Sequence, residues 1–80
     1  MMREDIFTKL TDIFRDVFDD EEIVLTDRTT ADDIEDWDSL EQINLLVAIE
    51  KRFDIKFRLS DVSGLENVGA MVDLVARMLG

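Results

Sequence analysis

Three stretches of this 80-residue chain repeat apolar residues at the three-to-four spacing of an α-helix, and nothing in it offers two strands that could pair. In residues 3–18, Ile6, Leu10, Ile13 and Val17 fall on one stripe, widened by Phe7, Phe14 and Phe18. A second helix is predicted from Ser39 to Phe53, with Leu45, Leu46, Ile49 and Phe53 facing inward. A last helix is predicted after Asn67, a good capping residue, and carries Val68, Met71, Val72, Val75, Met78 and Leu79. The chain has no proline, which suits helices. The expected fold class is all-α.

The connections are less regular. Asp19-Asp20-Glu21-Glu22 reads as a solvated link, and residues 19–38 as a whole carry no sustained period. A structureless loop of that length is unusual in a compact domain, so its apolar anchors Ile23, Leu25 and Ile34 predict an ordered wrap over the core. Residues 54–59 alternate like a strand but have no partner, and read as an extended connection. Ser60-Asp61-Val62 is read as capping a short helical turn that ends at Gly64. The second helix poses a question of its own: Leu40, Ile43 and Val47 form another apolar stripe, displaced around the axis from the first. Either both stripes are buried, or this helix offers apolar surface elsewhere.

Composition narrows the function. With 46% apolar residues the chain can bury one core, and its length predicts a single domain over residues 1–80. Twenty acidic against nine basic residues give a net charge of −11, which repels nucleic acid and anionic membrane surfaces and favours proteins with basic patches. The absence of cysteine excludes disulfides, thiolate metal sites and thiol nucleophiles. The absence of histidine removes the commonest general base and rules out a Ser-His triad. The N-terminal residues lack an apolar signal core and no window approaches a membrane span, so a cytoplasmic protein is expected. The acids of residues 32–43 do not make a calcium loop. Counted from Asp32, the tight-turn position falls on Trp37 and the closing ligand position on Ile43.

Within "EDWDSLEQINLL", residues 35–46, Ser39 is a plausible helix cap, because Ser39-x-x-Gln42 fits a capping box. Asp38-x-x-Glu41 fits one equally well. If Asp38 does the capping, Ser39 sits in the first helical turn with its hydroxyl free.

Asp38-Ser39-Leu40 opening an apolar helix, after an amphipathic first helix and a long loop, resembles the acyl carrier protein family. The run "WDSLEQINLLVAIEKRFDIKF" and the final "LENVGAMVDLVARML" extend the resemblance over essentially the whole chain. It implies a small four-helix bundle with a long first loop and a short third helix. It also implies 4′-phosphopantetheine carried on Ser39 as a phosphodiester from coenzyme A, holding acyl groups as thioesters. The anion would meet the free amides and positive dipole end of a helix N-terminus. No catalysis by the polypeptide itself is expected. The implied partners are a phosphopantetheinyl transferase, which reads Asp38, and acyl-loading and acyl-transfer enzymes with basic docking patches. Position by position, Asp38, Leu40, Ile43, Asn44 and Val47 match the family's contact surface, and the carrier is expected to be a monomer.

The chain departs from the family pattern at the end of the second helix, where Lys51 and Arg52, followed by Lys56 and Arg58, replace the usual acids, and Asn44 stands where Glu is common. Those cations read either as a solvated basic end satisfying helix carbonyls or as the mark of a discrete carrier in a specialised pathway. Cargo is chosen by the loading enzyme, so fatty acid, polyketide and related biosynthesis all remain open. An aminoacyl or peptidyl carrier, and an unmodified helical interaction module, are the rival readings.

Overall fold

In the computed structural model, which describes residues 2–80, the chain runs α1 (Arg3–Val17), a 3-10 turn (Ala31–Asp33), α2 (Ser39–Phe53), α3 (Leu59–Val62) and α4 (Val68–Leu79). No strand occurs among the described residues, and no helix there is long and apolar enough to cross a membrane. The fold is thus a small all-α bundle with a long first loop and a short third helix.

Helix α1 forms the middle of the core, packed against both α2 and α4. Glu4 and Asp5 in its first turn and Arg15 in its last complement the helix dipole. Its buried stripe is Ile6, Leu10, Ile13 and Phe14, joined by Phe18 just past the end. Val17, expected on that stripe, is only half-buried, because the two phenylalanines take the inner positions. From α2 come Leu45, Ile49 and Phe53, with Leu46 half-buried on the flank. Helix α4 contributes Val68, Met71, Val72 and Val75, and also buries Leu74, which the sequence reading leaves out.

Helix α2 stops at Asp54, which adopts the left-handed conformation (φ 56°) and donates its amide to the Glu50 carbonyl. The Glu50 carboxylate in turn accepts the Phe57 amide at 2.8 Å, so one side chain organises the extended connection. Helix α3 starts two residues earlier than predicted, with Arg58 rather than Ser60 at the cap position. Asp61 accepts the Arg58 amide at 3.0 Å, which places Ser60 inside the helix rather than at its cap. Asn67 caps α4 as predicted, its side-chain oxygen accepting the Ala70 amide at 2.8 Å.

The long first loop is ordered by hydrogen bonds as well as by its apolar anchors. Ile23 is buried, while Leu25 and Ile34 are half-buried against the core. Arg15 donates from Nε to the Ile23 carbonyl at 3.0 Å. Thr29 is buried, and its hydroxyl accepts the Thr26 amide at 2.9 Å. The loop then crosses the start of α4. The Val68 amide donates to the Thr29 carbonyl at 2.8 Å and the Gly69 amide to the Asp27 carbonyl at 3.0 Å. These bonds satisfy two of the amides that a helix start leaves open. The contact is so close that a Cβ on Gly69 would stand 2.8 Å from the Asp27 carbonyl oxygen. Arg3 clamps the crossing from α1, bonding the carboxylates of Asp27 and Asp73.

Two outcomes follow for stability. Gly69→Ala must push the loop off α4, and overpacking of this kind costs about 1–3 kcal/mol. A lowered urea midpoint with an unchanged slope checks it, and an unchanged midpoint would mean the crossing yields freely. The hydrogen bond from Arg3 holds the Asp27 carboxyl below its ordinary range. A carboxyl lowered by folding stabilises fully above its unfolded pKa, about 3.9, and that contribution disappears as pH falls through the folded value. The thermal stability of the native chain relative to Asp27→Asn should therefore be constant near neutrality and shrink below about pH 4. A difference that stayed flat to low pH would remove the Arg3–Asp27 pair from the account.

Candidate functional site

The start of α2 is set by Trp37. Its indole meets the Phe14 ring edge-on, with centroids 5.2 Å apart, and leans on Phe18 at 6.3 Å. Its Nε1–H donates to Oε1 of Gln42 at 2.6 Å. One side chain thereby ties the end of the loop to both α1 and the second turn of α2. The sequence reading gives Trp37 no structural role and offers Gln42 only as the capping-box partner of Ser39; a lone tryptophan inside an acidic run, five residues before a glutamine, was the available signal.

With Trp37 fixed, the next residue has extended backbone and acts as the cap. The Asp38 carboxylate accepts the Glu41 amide at 2.9 Å, and the Asp38 carbonyl accepts the Gln42 amide at 2.9 Å. Of the two overlapping capping boxes in the sequence, the aspartate forms the cap. Gln42, the residue that would complete a box with Ser39, is bonded to Trp37 instead. Ser39 is the first helical residue, exposed, and its hydroxyl takes no part in capping. The Ser39 and Leu40 amides remain directed out of the helix start with no partner among the described residues.

Ser39 stands at the rim of an open cleft of about 440 Å3 between the start of α2 and the segment leading into α4. Trp37, Leu65 and Met71 give the cleft apolar walls, and Gln42 and Asn67 add polar atoms. The chemistry available is that of one accessible primary hydroxyl, a local positive potential from the helix end, and a groove able to receive a chain of mixed polarity. Glu35, Asp36 and Asp38 are exposed nearby and oppose an anion, which weakens the pull of the dipole.

The remaining candidate residues lie along the outer face of the same helix. Leu40 is 65% exposed, Ile43 60% and Val47 42%, so the second apolar stripe is not a second core face. Asn44 is exposed between them, and its amide donates to Glu41 Oε1 at 3.1 Å. The four-residue α3 is too short to cover this stripe.

The chain was compared with protein families, solved structures and curated proteins. The phosphopantetheine attachment site family matches residues 8–75. The solution NMR structure of a holo acyl carrier protein from Geobacter metallireducens superposes with a TM-score of 0.87. The two sequences are 51% identical, over 91% of this chain and 84% of that one. No curated protein matches the chain.

The division of labour at the helix start has a measurable consequence. Asp38→Ala should cost about 1 kcal/mol, the usual value of a lost N-cap. Ser39→Ala should change stability by at most a few tenths of a kcal/mol, since alanine is the better helix former at an exposed position. Urea denaturation of the two variants checks this. Equal losses would return the capping role to the serine.

Proposed function

The chain belongs to the phosphopantetheine attachment site family, and from that premise we propose that Ser39 is the residue that bears the arm. As a member of the family it is a non-catalytic carrier with covalently attached 4′-phosphopantetheine. The observation that carries the assignment to Ser39 is its hydroxyl, exposed on the first residue of α2 because Asp38 holds the cap.

The residues around Ser39 fit the group. Attachment joins Ser39 Oγ to the phosphorus of coenzyme A that bears pantetheine; the bond to the 3′-phosphorylated adenylate breaks, and the serine proton leaves to solvent. The Ser39 and Leu40 amides at the helix start would hold the resulting phosphodiester, whose single negative charge the helix dipole favours. Asp38 contributes by holding the first turn in register, its carboxylate engaged with the Glu41 amide rather than turned toward the phosphate. The cleft lined by Trp37, Leu65 and Met71 offers the arm a resting place against the protein. When bound, the arm supplies the thiol that this cysteine-free chain lacks and holds acyl groups as thioesters.

The cargo in this reading is acyl, passed among enzymes of fatty acid, polyketide or related biosynthesis. The high identity to a holo acyl carrier protein supports acyl over aminoacyl cargo. The transferase that loads the arm reads Asp38, and the enzymes that use it engage the exposed Leu40, Ile43, Asn44 and Val47. The carrier acts as a cytoplasmic monomer, a state that its net charge of −11 favours through self-repulsion.

Intact mass after incubation with coenzyme A, magnesium and a broad-specificity phosphopantetheinyl transferase tests the assignment. The native chain should gain one phosphopantetheinyl group and Ser39→Ala none, with its helicity retained. A gain on the alanine variant would place the arm elsewhere. A folded native chain that stays unmodified would leave an interaction module as the better reading.

A further inference from the structure

Four of the nine basic residues of this acidic chain, Lys51, Arg52, Lys56 and Arg58, cluster at the C-terminal end of α2 and just beyond it. The fold sorts them. Lys51 lies one turn past Val47 and prolongs the row of exposed apolar residues toward the end of the helix. With Lys56 it flanks a groove of about 280 Å3 whose apolar lining is Val47 and Ile55. Two carboxylates border the same groove, but Glu50 is bonded to the Phe57 amide, which leaves Asp54 as the exposed acid. Arg52 projects from another side of the helix, over a hollow shared with Asp12, Asp16 and Asp19 of α1 and its end. Neither Lys51 nor Lys56 makes an ion pair within the described residues.

The outer face of α2 is therefore polar in the electrical sense. Its start carries Asp38 and Glu41, its middle Leu40, Ile43 and Val47, and its far end Lys51 with Lys56 alongside. From Asp38 to Lys51 the helix advances about 20 Å at 1.5 Å per residue. That exceeds two screening lengths of about 8 Å at physiological salt, so a bound surface meets the two ends as separate charges. A partner that is basic all along its docking site gains at the start of α2 and is repelled at the end.

We propose that the outer face of α2 docks a protein partner with an apolar seat for Ile43 and Val47, a basic patch at the Ser39 end and an acidic patch about 20 Å away that receives Lys51 and Lys56. This rests on the carrier reading, and it adds the polarity of docking and the sign of the distal patch. Arg52 lies outside the contact, which supplies a control of equal net charge per substitution. The two-ended pattern admits one orientation of α2 on its partner and disfavours the reverse.

The test uses a purified ketosynthase whose carrier-docking surface is basic along its length, and a variant of that enzyme with the distal basic residues changed to Glu. Dissociation constants are measured for the unloaded and the pantetheinylated carrier. For the all-basic enzyme, combined Lys51→Glu and Lys56→Glu should tighten binding about three- to tenfold at low salt, with the gain shrinking as salt rises. Arg52→Glu should leave it nearly unchanged. For the enzyme with an acidic distal patch, the native carrier should bind better than the Lys51/Lys56 variant. An improvement by Arg52→Glu of about half the double variant's, on a logarithmic scale, would make net charge the cause and overturn the proposal, as would no change for any variant. A carrier dimer that the Lys51/Lys56 substitutions dissolve would identify a second copy of the chain as the occupant and overturn it as well. Failed arm attachment shows separately in the intact mass, and the docking comparison on the unloaded chain still stands.

Discussion

The crossing of the first loop over the start of α4 is the constraint on which the other parts rest. Apart from the short 3-10 turn, the residues between α1 and α2 have no regular helical or strand bonding of their own, and ordering each costs about 1–2 kcal/mol of backbone entropy. The crossing offsets that cost by letting one set of hydrogen bonds serve two elements. The amides of Val68 and Gly69 complete the cap of α4 and fix the carbonyls of Thr29 and Asp27. Gly69 permits the approach, and Arg3 holds it from α1. Once the loop is pinned there, its second half has one short route to α2.

That route ends at Trp37, where the fold passes into the site. The indole is held by the phenylalanines of α1 and by Gln42, so the direction in which the chain enters α2 is set by core packing. Asp38 then caps, Ser39 follows as the first helical residue, and the hydroxyl is presented outward. Preorganisation of this kind lets a polypeptide without histidine or cysteine present one primary hydroxyl in a defined position at a helix start. Along the rest of α2, the inward stripe builds the core and the outward stripe remains open.

Much of this was legible in the residues. The bounds of α2 and the cap of α4 follow from periodicity and from Asp38, Ser39 and Asn67. The choice between two capping boxes was not, because Asp38 and Ser39 both have an acceptor oxygen and a suitable residue three positions on. A third side chain, Trp37, decided it by engaging Gln42. The start of α3 misled for a related reason: Asp61 reaches back to the Arg58 amide, a bond that does not depend on what the capping side chain is. Whether Leu40, Ile43 and Val47 were buried depended on what covers α2, and the brevity of α3 leaves them open. The close approach at Gly69 joins residues far apart in sequence and has no local signature.

The chain contains a single tryptophan and no tyrosine. That tryptophan is the one that walls the cleft beside Ser39, half-buried, with its ring against Phe14 and its N–H bonded to Gln42. All ultraviolet emission excited at the red edge of protein absorption therefore originates within the site. The molecule carries its own optical reporter, which responds to the polarity of whatever settles against the indole and is blind to events on the far side of α1.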